Sequence, residues 1–485
     1  MEWSYVPGPV RGDEAEALGV FWREGMESCE GLLAPELETR CRVLAEREAF
    51  TGAKGAHAQG FVEDSRGTRL FLVGLGKPEE ARGEDLFRAG AAEVARRAAE
   101  KGCVSIILAA PGASDPVRSR ALAEGVVLGT YRFHKYKARD EKDRFRLPDR
   151  VAVAGGNEEG CRRGAILGAC QNYARDLANE PGNVVTPEAF AREARALARR
   201  YDGTCVVLDE GQLAAKGMNA LLAVGRGSAN PPRLVHLIRR HPEARVRVAV
   251  VGKGVTFDSG GLNIKPGDSM RTMKGDKSGA CVALGVFRAV CELDLPLELH
   301  VVVGAAENMP DGGSFRPDDI LRAYNGKTIE VDNTDAEGRL TLADALAYAG
   351  EQHPDRLVDL ATLTGACVVA LGENTAGLFS PDDALAEALA GASRASGERL
   401  WRLPMDDERL KKQLKSPVAD LVNCGSRWGG AITAALFLEA FVPPGTAWAH
   451  LDIAGVDTVK EPFGWSPKGA TGFGVRCLAS WLETL

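Results

Sequence analysis

The chain has 485 residues, 45% of them apolar, and 60 Lys and Arg against 67 Asp and Glu give it a net charge of −7. That length exceeds one ordinary core, so it predicts two domains stable without disulfides or a structural metal. The acidic balance argues against a broad nucleic-acid surface, and seven scattered histidines with eleven cysteines in no C-x-x-C pair argue against a thiolate or histidine zinc site.

The first twenty residues carry Glu2, Asp13, Glu14 and Glu16, and no run reaches about 18 apolar residues. Neither a secretory signal nor a membrane anchor is expected; the chain reads as cytoplasmic, with reduced and mostly buried thiols. Residues 1–157 predict a smaller α/β domain, with a strand from Leu70 to Gly76, a helix from Glu84 to Lys101 and a strand from Val104 to Ala109. Gly74-x-Gly76 followed by Lys77-Pro78 lacks the third glycine of a dinucleotide fold. The basic stretch His134–Arg139 runs into Asp140, Glu141 and Asp143, and its mixed signs suit a solvated connector.

From Glu158 to Asn179, Ile166, Cys170, Tyr173, Ala174 and Leu177 share one helical face, and the pattern stops at Glu180-Pro181-Gly182. This helix is expected to join the domains and open the second, 158–485. Thr186 then reads as an N-cap with Pro187 in the first turn of a helix through Arg200. Beyond it, β-rich runs (Arg233–Ile238, Val246–Val251, Leu297–Val303, Leu357–Leu363, Ala447–Ile453) alternate with helical stretches. Such alternation predicts a larger α/β/α domain whose central sheet is mostly parallel, with helices on both faces. Ligands of such sheets bind beyond the strands' carboxyl ends, where Lys253, Asp335 and Thr362 are expected.

Two stretches carry the chemistry. The first runs from Val251 through Lys253, Asp258, Gly260 and Gly261 to Lys265, then Met273-Lys274-Gly275-Asp276, with glycines that let the backbone pack around whatever the side chains share. It is no phosphate loop, because G-x-x-x-x-G-K-[ST] is absent and the acids would repel phosphate. A structural network, with Lys253 merely pairing Asp258, is its plainer reading.

The second is Val331-Asp332-Asn333-Thr334-Asp335-Ala336-Glu337-Gly338-Arg339-Leu340, between the β-branched run Lys327–Val331 and a helical pattern through Tyr348. Its plainer reading is an acidic turn capping a helix. At i and i+2 of a turn, however, Asp335 and Glu337 face one point, and two carboxylates aimed together need a cation between them. Gly338 frees the backbone and Arg339 opens the helix, whose first N–H groups beside an Arg make a site for a small oxyanion. Together Asp258, Asp276, Asp335 and Glu337 with Lys253, Lys265 and Arg339 fit a two-metal hydrolytic centre. Mg²⁺ or Mn²⁺ would accept all-oxygen ligands, Zn²⁺ or Co²⁺ would also bind, and two such ions about 3.5–4 Å apart activate a shared water.

Asn333–Leu340, taken with the stretch from Lys253 to Asp276, resembles the cytosolic leucyl aminopeptidase family, the M17 peptidases. The resemblance runs through most of residues 165 to 485, including Asn172–Pro181, Ala361–Ala366 and Trp448–Gly455, and is loose in the N-terminal part. It implies that Asp258 and Glu337 bridge two metals, Asp335 completing the looser site and Lys253 and Asp276 the tighter. Lys253 is then neutral, favoured by burial and the adjacent dications. Lys265 stays charged to polarise the scissile carbonyl and stabilise the oxyanion, and Arg339 holds bicarbonate as general base. One metal captures the free α-amine, which confines cleavage to the N-terminus.

The function implied is a metal-dependent aminopeptidase using two ions per subunit, Mn²⁺ or Zn²⁺ with Mg²⁺ or Co²⁺ as alternatives, in a homo-hexamer of stacked trimers. The implied pocket is Met273, Thr362, Gly365, Ala454 and Asp457. The first four suit an apolar side chain, whereas Asp457 stands where mammalian members carry methionine. Either its carboxylate faces solvent, or the pocket is polar and admits basic residues. The alternatives are a narrower dipeptidase, for instance on cysteinylglycine, and a DNA-binding regulator of the same fold, a second role of some members that the −7 charge counts against. A catalytically dead scaffold conflicts with the presence of every expected ligand.

Overall fold

In a computed structural model the described residues are 1–485 except 26–30, 63–66, 78–83, 139 and 141–142. Cys29, Pro78, Arg139 and Glu141 of the sequence reading therefore lie outside the described residues. Backbone contacts divide the chain into two units, 1–172 with 460–468, and 173–459 with 469–485. The division falls inside the helix Glu158–Asn179, whereas the sequence reading set its boundary before that helix.

The first unit is a six-stranded sheet in the order β1-β6-β5-β2-β4-β3, built from β1 (Glu2–Val6), β2 (Ala17–Trp22), β3 (His57–Phe61), β4 (Arg69–Gly74), β5 (Ser105–Ala109) and β6 (Arg150–Ala154). All pairings are parallel except β3 with β4. Both faces are covered: along β4, Phe71 and Val73 enter one core while Leu70 and Leu72 enter the other. Double burial explains why β4 and β5 read as continuous apolar runs.

The second unit holds an eight-stranded sheet in the order β15-β14-β17-β13-β9-β10-β8-β7. Its members are β7 (Thr204–Leu208), β8 (Arg233–Arg239), β9 (Arg247–Asp258), β10 (Glu298–Asn308), β13 (Arg356–Ala361), β14 (Ala376–Phe379), β15 (Leu400–Arg402) and β17 (Ala447–Asp452). The centre, β17-β13-β9-β10, is parallel, and antiparallel pairings flank it. A separate three-stranded sheet joins β11 (Ile320–Arg322), β12 (Thr328–Glu330) and β16 (Leu421–Val422).

Successive residues of a strand point to opposite faces, and β9 shows what covers each. A Cβ on Gly252 would sit 2.6 Å from Ala280 Cα on the helix Ser278–Glu292, whereas Lys253 lies against Gly338 on the helix Gly338–Gly350. The central sheet is thus sandwiched. All thirteen residues of Gly338–Gly350 are buried, because that helix lies in the core with Leu342 and Leu346 packed among Ala249, Val251 and Val302. The helix Pro187–Arg200 begins as expected, with the Thr186 side chain accepting from the Ala189 amide. The ten described cysteines are free, seven of them buried. Among the described residues no helix is long and apolar enough to cross a membrane.

Two expectations need correction. Lys253 does not follow a strand end: β9 runs on through Asp258, paired with β10 on both sides of a bulge at Thr256, while its pairing with β13 stops at Gly252. Lys253 therefore opens the segment of β9 that overhangs β13. The strand before Asp335, β12, belongs to the small sheet rather than the central one, and its β-branched composition carries no information about which sheet it joins.

Candidate metal centre

Four elements converge where β9 overhangs β13. Asp258 is the last residue of β9, Asp276 sits in the 3-10 turn Met273–Lys277, and Asp335 and Glu337 occupy the turn before Gly338–Gly350. Thr362 follows the end of β13. One carboxylate oxygen each of Asp258, Asp335 and Glu337 lies within 4.8 Å of the others. The i, i+2 reading of Asp335 and Glu337 therefore describes the actual turn.

Two ammonium groups stand among the acids. Lys253 Nζ lies 2.7 Å from Asp276 Oδ1 and 2.9 Å from Glu337 Oε1, and donates to the Thr362 carbonyl at 2.9 Å. Lys265 Nζ lies 2.8 Å from Asp258 Oδ2 and 2.6 Å from Asp335 Oδ1. Lys253 thus pairs Asp276 and Glu337, and the expected Lys253–Asp258 pair is replaced by Lys265–Asp258.

The close approach of Lys253 to the turn requires a glycine, since a Cβ at Gly338 would stand 2.4 Å from Lys253 Cε. Gly260, at φ +87°, makes the bend after Asp258, and a Cβ there would meet the Asn263 carbonyl at 2.5 Å.

Four buried or half-buried carboxylates against two ammoniums leave an excess of negative charge in a low-dielectric site. Burial, with repulsion from Glu337, pushes the Asp258 carboxyl above its usual range; burial does the same to Asp335 and Asp276. Burial alone would pull Lys253 down, but Asp276 and Glu337 override it and hold the ammonium above the ordinary lysine range. Burial does not by itself neutralise Lys253, so a neutral amine here depends on other cations taking over the acids. Lys265 is held charged in the same way, burial being outweighed by Asp258.

The donor set fits divalent cations: oxygens of Asp258, Asp335 and Glu337 converge, Lys253 links Glu337 to Asp276, and Asp276 Oδ2 is buried with no hydrogen-bond partner. Arg339 is 7% exposed; its Nη1 donates to the Asn423 carbonyl at 2.7 Å, while its buried Nε has no acceptor.

Several residues that hold this geometry escaped the sequence reading. Asn308, ending β10, donates to Asp258 Oδ1 at 2.8 Å and to the Thr334 carbonyl at 3.1 Å. Buried Asn423 accepts from the Asp332 amide at 2.7 Å and donates to the Asn333 carbonyl at 2.8 Å, fixing the acidic turn. Thr334 Oγ1 donates to the Gly260 carbonyl at 2.7 Å, tying that turn to the bend after Asp258. A polar Asn ending the apolar run of β10 was a readable signal; Asn423, in an irregular segment, offered none.

The pocket residues are placed unevenly. Thr362 Oγ1 donates to Asp276 Oδ1 at 2.8 Å, and the Ala454 amide to Asp452 Oδ1 at 3.1 Å. Met273 opens the turn that carries Asp276, and Gly365 opens the helix Gly365–Leu371, which Thr364 caps. Asp457 is half-buried rather than turned wholly out to solvent. Its Oδ2 lies where a Cβ on Gly275 would reach it at 2.8 Å, Thr458 Oγ1 donates to it at 3.2 Å, and burial pushes its carboxyl up to about 7.

Comparison with known proteins agrees with this geometry. The family model for the cytosol aminopeptidase catalytic domain matches residues 172–479, and that for the family's N-terminal domain matches residues 17–140. A protein of Aquifex aeolicus described as a probable cytosol aminopeptidase is 49% identical over 99% of this chain and 97% of its own length. One of Persephonella marina with the same description is 52% identical over 75% of this chain and 74% of its own. Among solved structures, the bottromycin maturation enzyme BotP in complex with Mn is 38% identical with a TM-score of 0.87, covering 97% of this chain and 99% of that one. A mutant of tomato leucine aminopeptidase is 36% identical, again at TM-score 0.87, covering 97% and 94%. Family models over both parts of the chain, and a relative this similar across nearly its whole length, show that it belongs to the cytosol aminopeptidase family: it is an aminopeptidase, a hydrolase that is metal-dependent by family.

Proposed function

We propose that this chain releases N-terminal residues from peptides with two divalent ions held by Lys253, Asp258, Asp276, Asp335 and Glu337, and with bicarbonate at Arg339. The observation that carries the reading is the buried excess of carboxylate, with Asp276 Oδ2 left unpaired beside it. The Mn complex of BotP supports Mn²⁺ as one such ion. When bound, the two ions supply Lewis acidity and an activated water, and bicarbonate supplies the general base.

The chain's own residues do the rest. Lys265, charged and fixed between Asp258 and Asp335, presents an ammonium to the oxyanion that develops on the scissile carbonyl. Arg339 offers its unpaired Nε–H, at the start of a helix, to an anion. Asn308 and Thr362 orient Asp258 and Asp276, so the acids need not reorganise during turnover. The released residue sits among Met273, Thr362, Gly365, Ala454 and Asp457.

The test is peptide-library hydrolysis by metal-stripped protein with and without Mn²⁺ or Zn²⁺, beside metal analysis of the reloaded enzyme. Recovery at two ions per chain is the expected result, and metal-independent turnover refutes it. Homo-hexameric assembly and a cytoplasmic location follow from the resemblance; sedimentation at micromolar concentration tests the first.

A further inference from the structure

We infer that Asp452, which contributes nothing to the acid cluster itself, is a positioning residue of the metal centre. It ends β17, beside Ala361 at the end of β13, and is fully buried. Its carboxylate gathers one short segment. Oδ1 accepts from the amides of Leu363 at 3.3 Å, Thr364 at 3.5 Å and Ala454 at 3.1 Å, and Oδ2 from Thr364 Oγ1 at 2.7 Å. The Thr364 hydroxyl in turn accepts the Cys367 amide at 3.0 Å, which fixes the direction of its own proton toward Asp452.

The segment held in this way is the one that touches both residues assigned to the tighter metal site. Thr362 donates its hydroxyl to Asp276 Oδ1 at 2.8 Å, and its carbonyl accepts from Lys253 Nζ at 2.9 Å. Without the anchor at Asp452, nothing in that bonding pattern holds the Leu363–Thr364 backbone, and Thr362 loses its fixed aim at Asp276 and Lys253. Burial pushes the Asp452 carboxyl up, and an imidazole behind it opposes that push. His450, two residues back, lies 2.6 Å from Asp359 and is electrostatically coupled to Asp452, as Arg339 is from the site side. Asp359 is itself fixed by Trp448 Nε1 at 2.8 Å.

This rests on the metal reading of Lys253 and Asp276, and the experiment separates the two. Metal-stripped wild type, Asp452→Asn, Thr364→Val and Thr364→Ser are titrated with Mn²⁺, followed by calorimetry and by the Mn²⁺ electron paramagnetic resonance spectrum; kcat and KM are then measured after reloading. Asp452→Asn and Thr364→Val are expected to weaken Mn²⁺ binding about tenfold and to lower kcat more than they change KM, the usual scale for a group that orients a ligand. Thr364→Ser, which keeps the hydroxyl, restores both. Mn²⁺ affinity in folded Asp452→Asn equal to wild type overturns the positioning role. If Asp452→Asn does not fold, equal affinity in Thr364→Val and Thr364→Ser overturns it instead. Wild type that binds no Mn²⁺ overturns the metal reading, and the positioning role with it.

Discussion

Replacing Asp457 by Asn keeps the side-chain volume and its hydrogen bond from Thr458 but removes the charge. The carboxylate sits against Gly275, one residue from Asp276, and the absence of a Gly275 side chain makes its room. The Thr458 hydroxyl donates to it, the Ser278 side chain also hydrogen-bonds it, and burial pushes its carboxyl up to about 7. An acid so placed raises the energy of an apolar side chain brought against it and lowers that of a cationic one. A charge-assisted hydrogen bond contributes about 1.5–3 kcal/mol in mutational series. Asp457 keeps some solvent exposure, so a net ~1.4 kcal/mol is the reasonable figure, or about tenfold in kcat/KM. Steady-state kinetics on arginyl, lysyl and leucyl aminoacyl substrates read this directly. Asp457→Asn is expected to lower the arginyl-to-leucyl ratio of kcat/KM about tenfold, and Asp457→Met at least as far, with metal content unchanged. An unchanged ratio in both variants would refute the idea that Asp457 reads the substrate.

Much of the second unit was legible because its strands are buried on both faces and its helices carry caps. The apolar runs now seen as β8, β13 and β17 were marked within two residues, the starts of β9 and β10 within one but not their far ends at Asp258 and Asn308, and Glu158–Asn179 and Pro187–Arg200 at both ends. The short strands β14 and β15, and the half-exposed edge strand β7, went unread, since four or fewer residues or an alternating exposure give little periodic signal. The course of β9 past Gly252 was hidden by its glycines, which suggest a loop in sequence but here let the strand pass close to Ala280 and Gly304. In the site, charged residues identified themselves by type and spacing. Asn423 and Asp452 did not, because each acts on backbone groups that only the fold brings near: Asn423 lies about 90 positions from the turn it braces. A bond of that kind leaves no local pattern, whereas the i, i+2 geometry of Asp335 and Glu337 does.

Glu337→Ala removes the carboxylate shared by Lys253 and the three-acid cluster, and should abolish turnover and lower metal content; near-normal values of both would refute its bridging role. Asp335→Asn should be milder, since an amide oxygen still ligates without charge. Arg339→Ala should lower kcat while metal content holds, and bound metal vanishing with activity would mark the residue as structural. Gly338→Ala places a methyl 2.4 Å from Lys253 Cε, and should cost about 1–3 kcal/mol of stability; a variant with unchanged melting temperature and Mn²⁺ affinity refutes the claimed contact.

The last prediction concerns acid. His236 is buried on β8, with Nε2 2.9 Å from His300 Nδ1 and Nδ1 3.3 Å from the Tyr348 hydroxyl; burial, then His300, lowers its pKa to about 3. A histidine depressed in the folded state stays neutral while the unfolded chain takes up a proton, so its contribution is complete above the unfolded value near 6.5 and is lost as pH falls toward 3. Between pH 7.5 and 5.0 that amounts to roughly 2 kcal/mol, at about 1.4 kcal/mol per pH unit below 6.5. Denaturant midpoints of wild type and His236→Leu at both pH values test it. The variant should lose less stability than wild type on acidification, and equal losses in the two proteins would show that His236 is not the group taking up the proton.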